Sequence, residues 1–119
     1  MPERIHHHFL RDMLEATRAA LEFTADIDFD GFAASREKQF AVVRALEVLG
    51  EAANHVPEVV RKKHAALPWR EMIAMRNKVV HEYFGINLEI VWRTVRDELP
   101  ELEAAIAAVV EAEFRLTPP

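Results

Sequence analysis

The sequence predicts an all-α bundle of five to six helices, and two observations carry this prediction. Apolar residues recur at steps of three and four over most of the chain, which is the spacing of one buried helix face. No segment alternates apolar and polar residues as a half-buried strand would, and the chain has only 3 Gly and 6 Pro. The length of 119 residues fits one domain, residues 1–119.

The first helix is expected from Ile5 to about Thr24, where apolar residues recur with charges between them. The acidic run that follows, Asp26–Gly31, interrupts this pattern. Acidic residues and glycine are typical of connecting segments, so we expect a loop there.

A second helix is expected from Ser35, which can act as its N-cap, to about His55. Gly50 lies inside this helix at a cost in stability, which indicates close contact with another helix. The residues expected to face inward are Phe40, Val43, Leu46 and Leu49.

The second half of the chain also has a helical pattern. Pro57 can open a short helix that ends near Lys63 or His64, and Pro68 suits the first turn of the next. That helix is expected to end at Tyr83-Phe84-Gly85. Asn87 can cap a final helix, which Pro100 either kinks or divides in two, with an end near Leu116.

Composition and charge exclude several classes of protein. The chain has no cysteine, no apolar run long enough to span a bilayer and no secretory signal, so a cytoplasmic protein is expected. The formal net charge is −5, but residues 57–83 carry six Lys or Arg against three Asp or Glu. This basic strip is compatible with contact to a few phosphates, or with a solvated helix face.

The segment Arg76–Tyr83 combines the side chains most suited to chemistry. It holds a guanidinium that can bind phosphate, the amide of Asn77, the imidazole of His81 and a phenol. Such a set suits metal-free RNA cleavage, in which imidazole moves a proton and guanidinium stabilises charge on the phosphoryl oxygens. The spacing alone is also typical of a histidine at a helix end and a surface arginine with no catalytic role.

The spacing in this segment points to a second copy of the helix. Asn77 and His81 are one turn apart, whereas Arg76 and His81 are five residues apart and about 140° around the axis. Either the long Arg76 side chain wraps around the helix, or a second copy completes the site across a two-fold axis.

Four blocks of the sequence resemble the HepT-like members of the HEPN superfamily, the toxins of MNT–HEPN (type VII) toxin–antitoxin modules. The blocks are Ala41–Ala52, Pro68–Ile73, Met75–Gly85 and Leu88–Trp92, and the similar stretch runs from about Phe9 to Ile106. The third block contains the family's Arg-x4-His-x-Tyr motif in full.

The resemblance implies a HEPN bundle that forms a homodimer, with the motifs of both copies in one cleft. It implies a metal-independent endoribonuclease toxin that needs no cofactor and acts on mRNA or tRNA. Arg76 and His81 match the family's catalytic pair, and Asn77 matches the polar residue that supports it. Tyr83 matches the tyrosine that the partner nucleotidyltransferase antitoxin adenylylates to silence the toxin. The alternative is a catalytically silent HEPN domain that serves as a binding scaffold.

Other polar groups are expected to have structural roles. His6-His7-His8 on a helix would point in three directions, so no metal site is expected there. We expect His55 and His64 to cap helix ends, and Glu47 and Glu51 to lie on a solvated face. The run Arg61–His64 is either a phosphate-contacting patch or a solvated turn. The two tryptophans, Trp69 and Trp92, are expected to pack in the core or at the dimer interface.

Overall fold

The structure, a computed structural model, describes residues 5–84 and 87–116, except for the side chains of residues 5, 78–84 and 116. These residues form helices and short connections without any strand, which confirms the predicted all-α bundle. The helices are α1 (Ile5–Thr24), α2 (Phe29–Ala34), α3 (Arg36–His55), α4 (Glu58–Lys63), α5 (Trp69–Phe84), α6 (Leu88–Arg93) and α7 (Leu99–Leu116).

A π turn, Thr94–Glu98, joins α6 to α7, so the described chain has six helical segments. The N–H of Leu99 bonds the carbonyl of Thr94, five residues back. Pro100, which has no N–H to donate, lies directly after this π turn. The chain therefore continues as helix through this region instead of breaking at the proline.

The helix starts follow the predicted capping chemistry. The Ser35 hydroxyl accepts a hydrogen bond from the N–H of Lys38 at 3.1 Å. The Asn87 side-chain oxygen accepts one from the N–H of Ile90 at 3.3 Å. The Ile90 amide also lies 3.2 Å from the backbone carbonyl oxygen of Asn87. Side-chain oxygens at both predicted positions accept from first-turn amides, so both predicted N-caps are confirmed.

The predicted loop Asp26–Gly31 is wrong in its second half. The carboxylate of Asp28 accepts a hydrogen bond from the N–H of Gly31 at 2.8 Å and starts α2 at Phe29. The acidic residue is thus a helix cap and not a turn residue. This short helix buries Phe32, whose ring lies 5.5 Å from that of Trp92.

The bundle is organised around α1 and α3. Helix α1 packs against α3 on one side and α7 on the other, and α3 also packs against α5. The core between them is formed by aliphatic side chains and methionines without solvent exposure, among them Leu10, Met13, Leu46, Leu49, Met72 and Ile106. Helix α5, which carries the Arg76–Tyr83 motif, is therefore held mainly by α3.

The inward face of α3 differs from the prediction at one position. Val43, Leu46 and Leu49 are buried as expected, but Phe40 is 52% exposed and lies beside the guanidinium of Arg36. A series of three-residue steps drifts by about 60° per step around a helix. Phe40 and Leu49 are three such steps apart and therefore lie on different faces of α3. The prediction that Phe40 points inward is wrong.

Candidate active site

The motif lies in the second half of α5. Arg76 and Asn77 are exposed at the surface of the bundle. The backbone at His81 and Tyr83 belongs to the same helix, while their side chains lie outside the described residues.

Regular helix from Trp69 to Phe84 sets the spacing between the expected catalytic residues. Positions 76 and 81 are separated by about 7.5 Å along the axis and about 140° around it. Within one helix the two positions therefore belong to different faces, as the spacing in the sequence predicts.

Gly50 fixes where α5 lies on α3. A Cβ atom at this position would be 3.0 Å from the N of Arg76 and 3.0 Å from the carbonyl oxygen of Met72. These are backbone atoms of α5, so the two helices are in contact at the turn from Met72 to Arg76. The close helix contact predicted from Gly50 is confirmed, and it positions the first residue of the motif.

Glu51 follows Gly50 and is the partner of Arg76. Nη1 of Arg76 donates a hydrogen bond to Oε2 of Glu51, and both side chains are about half exposed. Sequence reasoning placed Glu51 on a solvated face, which is right for its exposure but misses the ion pair. Gly50 indicates a helix contact in the sequence, and this contact could have suggested that its neighbour Glu51 pairs with a residue of another helix.

The basic run Arg61–His64 contacts other parts of the protein. Arg61 Nε donates to the carbonyl of Val56 at 3.1 Å, and Lys62 pairs with Glu58 at 3.5 Å. Lys63 Nζ and His64 Nε2 lie 3.1 and 2.6 Å from one carboxylate oxygen of Glu113. The run is therefore neither a solvated turn throughout nor a row of unpaired cations.

The buried carboxylate of Glu113, on α7, contacts residues of α1 and of the end of α4. Its side chain is 3% exposed, and its other oxygen lies 3.1 Å from His6 Nε2 on α1. Burial raises the pKa of Glu113, but the hydrogen bonds from His64 and Lys63 outweigh burial and hold that pKa below its usual value. Glu113 is therefore ionised and links α7 to α1 and to the end of α4.

The histidines at positions 6 to 8 contact different groups, although the rings of His6 and His7 lie 4.6 Å apart and both reach α7. His6 contacts Glu113, the His7 ring lies 4.4 Å from that of Phe114, and His8 lies 3.4 Å from Asp12. Burial lowers the pKa of His7, as does the neighbouring His6, while Glu113 acts in the opposite direction.

Two histidines were expected to cap helix ends, and the outcome differs between them. Nδ1 of His55 is 2.8 Å from the Glu51 carbonyl in the last turns of α3, as a capping imidazole would be. His64 is the C-cap residue of α4, but its imidazole contacts Glu113. The expected capping role of that imidazole is therefore wrong, because a buried carboxylate is a stronger partner than helix carbonyls.

Both tryptophans pack in the protein. Trp69 is buried, and its indole N–H donates to the carbonyl of His64 at 2.9 Å. Trp92 is half-buried against the rings of Phe29 and Phe32.

The described bundle is all-α and exposes Arg76 on α5, which is the arrangement expected from the resemblance to HEPN proteins. The chain belongs to the ribonuclease HepT-like family, whose model matches residues 13–109.

The chain is similar to members of this family over most of its own length and nearly the whole of theirs. A protein of Thermococcus cleftensis named Probable ribonuclease HepT is 42% identical over 101 residues, which is 85% of this chain and 92% of the relative. A protein of Methanocaldococcus jannaschii named as a candidate RNase is 38% identical over 101 residues, 85% of this chain and 93% of its own. No solved structure matches the chain. No helix in the described part of the chain has the length and apolar character needed to cross a bilayer.

Proposed function

We propose that the protein is a metal-independent endoribonuclease toxin of the HepT type, in which Arg76 and His81 cleave RNA. Family membership and relatives named as ribonucleases support the RNase activity. The single observation that carries the site is the exposure of Arg76, because a guanidinium at the surface can reach a phosphate in RNA.

The proposed reaction needs no group outside the chain and the RNA. The ribose 2′-OH loses its proton and attacks the adjacent phosphorus, so a 2′-O–P bond forms while the bond to the 5′ oxygen breaks. Imidazole at position 81 takes the proton of the 2′-OH and gives a proton to the departing 5′ oxygen, so the step consumes and releases no net proton. Arg76 stabilises the charge on the phosphoryl oxygens, and Asn77 supports the pair by binding a phosphate oxygen or the imidazole. The products are a 2′,3′-cyclic phosphate and a 5′-hydroxyl.

A homodimer would allow positions on two helix faces to serve one phosphate. Positions 76 and 81 are about 140° apart on α5. A two-fold axis beside this helix would bring Arg76 of one copy toward His81 of the other. We therefore propose that the cleft between two copies holds the reaction.

The test is incubation of the purified protein with total RNA in EDTA, beside Arg76→Ala and His81→Ala. The wild type is expected to leave 2′,3′-cyclic phosphate ends, and both variants are expected to lose at least about 100-fold in rate. Arg93→Ala is the matched control, since Arg93 is also an exposed arginine paired with a glutamate, Glu89, at 2.5 Å. Undiminished cleavage by His81→Ala would contradict the proposal, and absence of cleavage by the unmodified wild type would favour a binding scaffold.

Regulation by a partner nucleotidyltransferase is the second part of the proposal. The phenol oxygen of Tyr83 attacks the α-phosphate of ATP and releases pyrophosphate, which leaves AMP on the tyrosine. This adds negative charge and bulk two residues from His81 and would repel an RNA phosphate. Incubation with ATP and the partner nucleotidyltransferase that this proposal requires should add the mass of AMP and stop RNA cleavage. Tyr83→Phe should block the added mass; an equal gain in this variant would place the modification elsewhere.

A further inference from the structure

One ion pair of the motif connects α5 to α3. Arg76 donates a hydrogen bond from Nη1 to Glu51, and the exposed fractions of the two side chains are 53% and 52%. An ion pair this exposed contributes about 0–1 kcal/mol to stability. Holding the fold together is therefore not its main effect.

The backbone around the pair is held in place by a close contact between the two helices. Gly50 lets α3 contact the turn Met72–Arg76 of α5 at backbone distance. Glu51 is the next residue along α3, so its carboxylate is anchored beside the point where the Arg76 side chain leaves α5. The carboxylate can thus fix the direction of a long and otherwise mobile side chain.

The chemistry of the guanidinium leaves room for a second partner. Arginine has five N–H donors in a planar fork, and the contact with Glu51 uses Nη1. Nη2 and Nε are not needed for this contact and can bind a phosphate. Glu51 also cannot neutralise the cation fully, because both groups are half in water, where charges are strongly screened.

We propose that Glu51 is a positioning residue that orients Arg76 for the phosphate at which RNA is cleaved. This inference rests on the proposed ribonuclease function. A catalytic group held in its reactive direction before substrate arrives loses less freedom in the transition state. Glu51 therefore raises the rate of the chemical step and adds little to RNA binding, since its own charge repels phosphate.

The kinetic test compares Glu51→Gln and Glu51→Ala with wild type on one short RNA in EDTA. We expect kcat to fall about 10- to 100-fold and KM to stay the same or decrease. Glu89→Gln is the matched control, because Glu89 forms a similarly exposed pair with Arg93, and it should keep wild-type kinetics. All variants should unfold within about 5 °C of wild type, as expected for an exposed pair that contributes no more than about 1 kcal/mol. An unchanged or increased kcat in both Glu51 variants would overturn the proposal.

A second measurement does not depend on activity. The side-chain Nε–Hε signal of Arg76 in a ¹H–¹⁵N NMR spectrum, assigned with Arg76→Lys, reports how ordered the guanidinium is. We expect an ordered Arg76 in wild type and a mobile one in Glu51→Gln, with no change in Glu89→Gln. A mobile Arg76 in wild type would overturn the proposal.

These results separate the two proposals. Cleavage by wild type with unchanged Glu51 variants would remove the role of Glu51 and leave the ribonuclease in place. An ordered Arg76 in a protein that cleaves no RNA would remove the ribonuclease, and the role of Glu51 in cleavage with it.

Discussion

At the scale of single residues, Gly50 determines how the motif is presented. Its missing side chain lets the backbones of α3 and α5 meet at Arg76, so any added atom must push two helices apart. Interiors are packed too densely to absorb such a displacement without cost.

Gly50→Ala is therefore expected to destabilise the protein by about 1–2 kcal/mol, even though alanine is the better helix former. The midpoint of thermal unfolding should fall by roughly 4–10 °C. The rate of RNA cleavage should fall by more than the loss of stability explains, because the turn that carries Arg76 is displaced. Thermal unfolding and cleavage assays at a temperature where the variant is folded measure both effects.

Gly31→Ala is the control for this substitution. A Cβ at Gly31 would lie 3.3 Å from Cβ of Ile27 and 3.4 Å from the Asp28 carboxylate. These are side-chain atoms of a half-buried and an exposed residue, and not the backbone of another helix. We expect its stability to stay within about 1 kcal/mol of wild type, with normal cleavage. Equal losses in both glycine variants would contradict the role given to Gly50.

The sequence singles out residues by the type and spacing of their side chains, but it does not give their partners on other helices. Arg76, Asn77, His81 and Tyr83 stand out by type and spacing within eight positions. Glu51 was missed because its partner is 25 positions away on another helix. Helix periodicity gives the face of a residue, but not which residue of a neighbouring helix it meets.

At the scale of elements, Glu113 connects α7, α1 and the end of α4. His64 is one of its partners. The backbone carbonyl of His64 also accepts a hydrogen bond from the indole N–H of Trp69, where α5 begins. The network thus links the outer helices to the start of the helix that bears the motif.

Glu113→Gln is expected to lower the free energy of unfolding at pH 7 by about 1–3 kcal/mol, because a buried charge-assisted network loses its charge. The pKa of Glu113 is lowered in the folded protein, so its contribution is present above its usual pKa and is lost as pH falls through the lowered value. The difference between wild type and variant should therefore shrink in acid. Urea unfolding at a series of pH values measures it.

Glu111→Gln is the control, since Glu111 is an exposed residue of the same helix, 3.6 Å from Arg115. Its stability should stay within about 0.5 kcal/mol of wild type at every pH. A wild-type advantage over Glu113→Gln that grows in acid would contradict the account.

The lowered pKa of His7 adds a loss of wild-type stability as pH falls below about 6.5.

Helices and their caps were largely predictable, because capping side chains and apolar spacing are local signals. Ser35 and Asn87 occupy their predicted positions. Helix α2 was not predicted, since six residues are too few for a periodic pattern. The exposure of Phe40 was missed because three-residue steps drift away from the buried face.

At the scale of the whole molecule, charge and symmetry bear on function. The chain is acidic overall, with a net charge of −5, which opposes broad contact with RNA. The described bundle also places positions 76 and 81 on different faces of one helix. A cleft between two copies would concentrate both motifs in a small region and overcome both difficulties.

The most direct test of this account is to mix Arg76→Ala and His81→Ala after each has been purified, under conditions in which copies exchange. Each variant alone is expected to be inactive. If one Arg76 and one His81 from different copies form a site, half of the mixed dimers are heterodimers with one intact site of two. The mixture should then recover about a quarter of the wild-type rate. Exchange confirmed by mass spectrometry with no recovery would contradict a site shared in this way, and full activity of either variant alone would contradict the assignment of the catalytic pair.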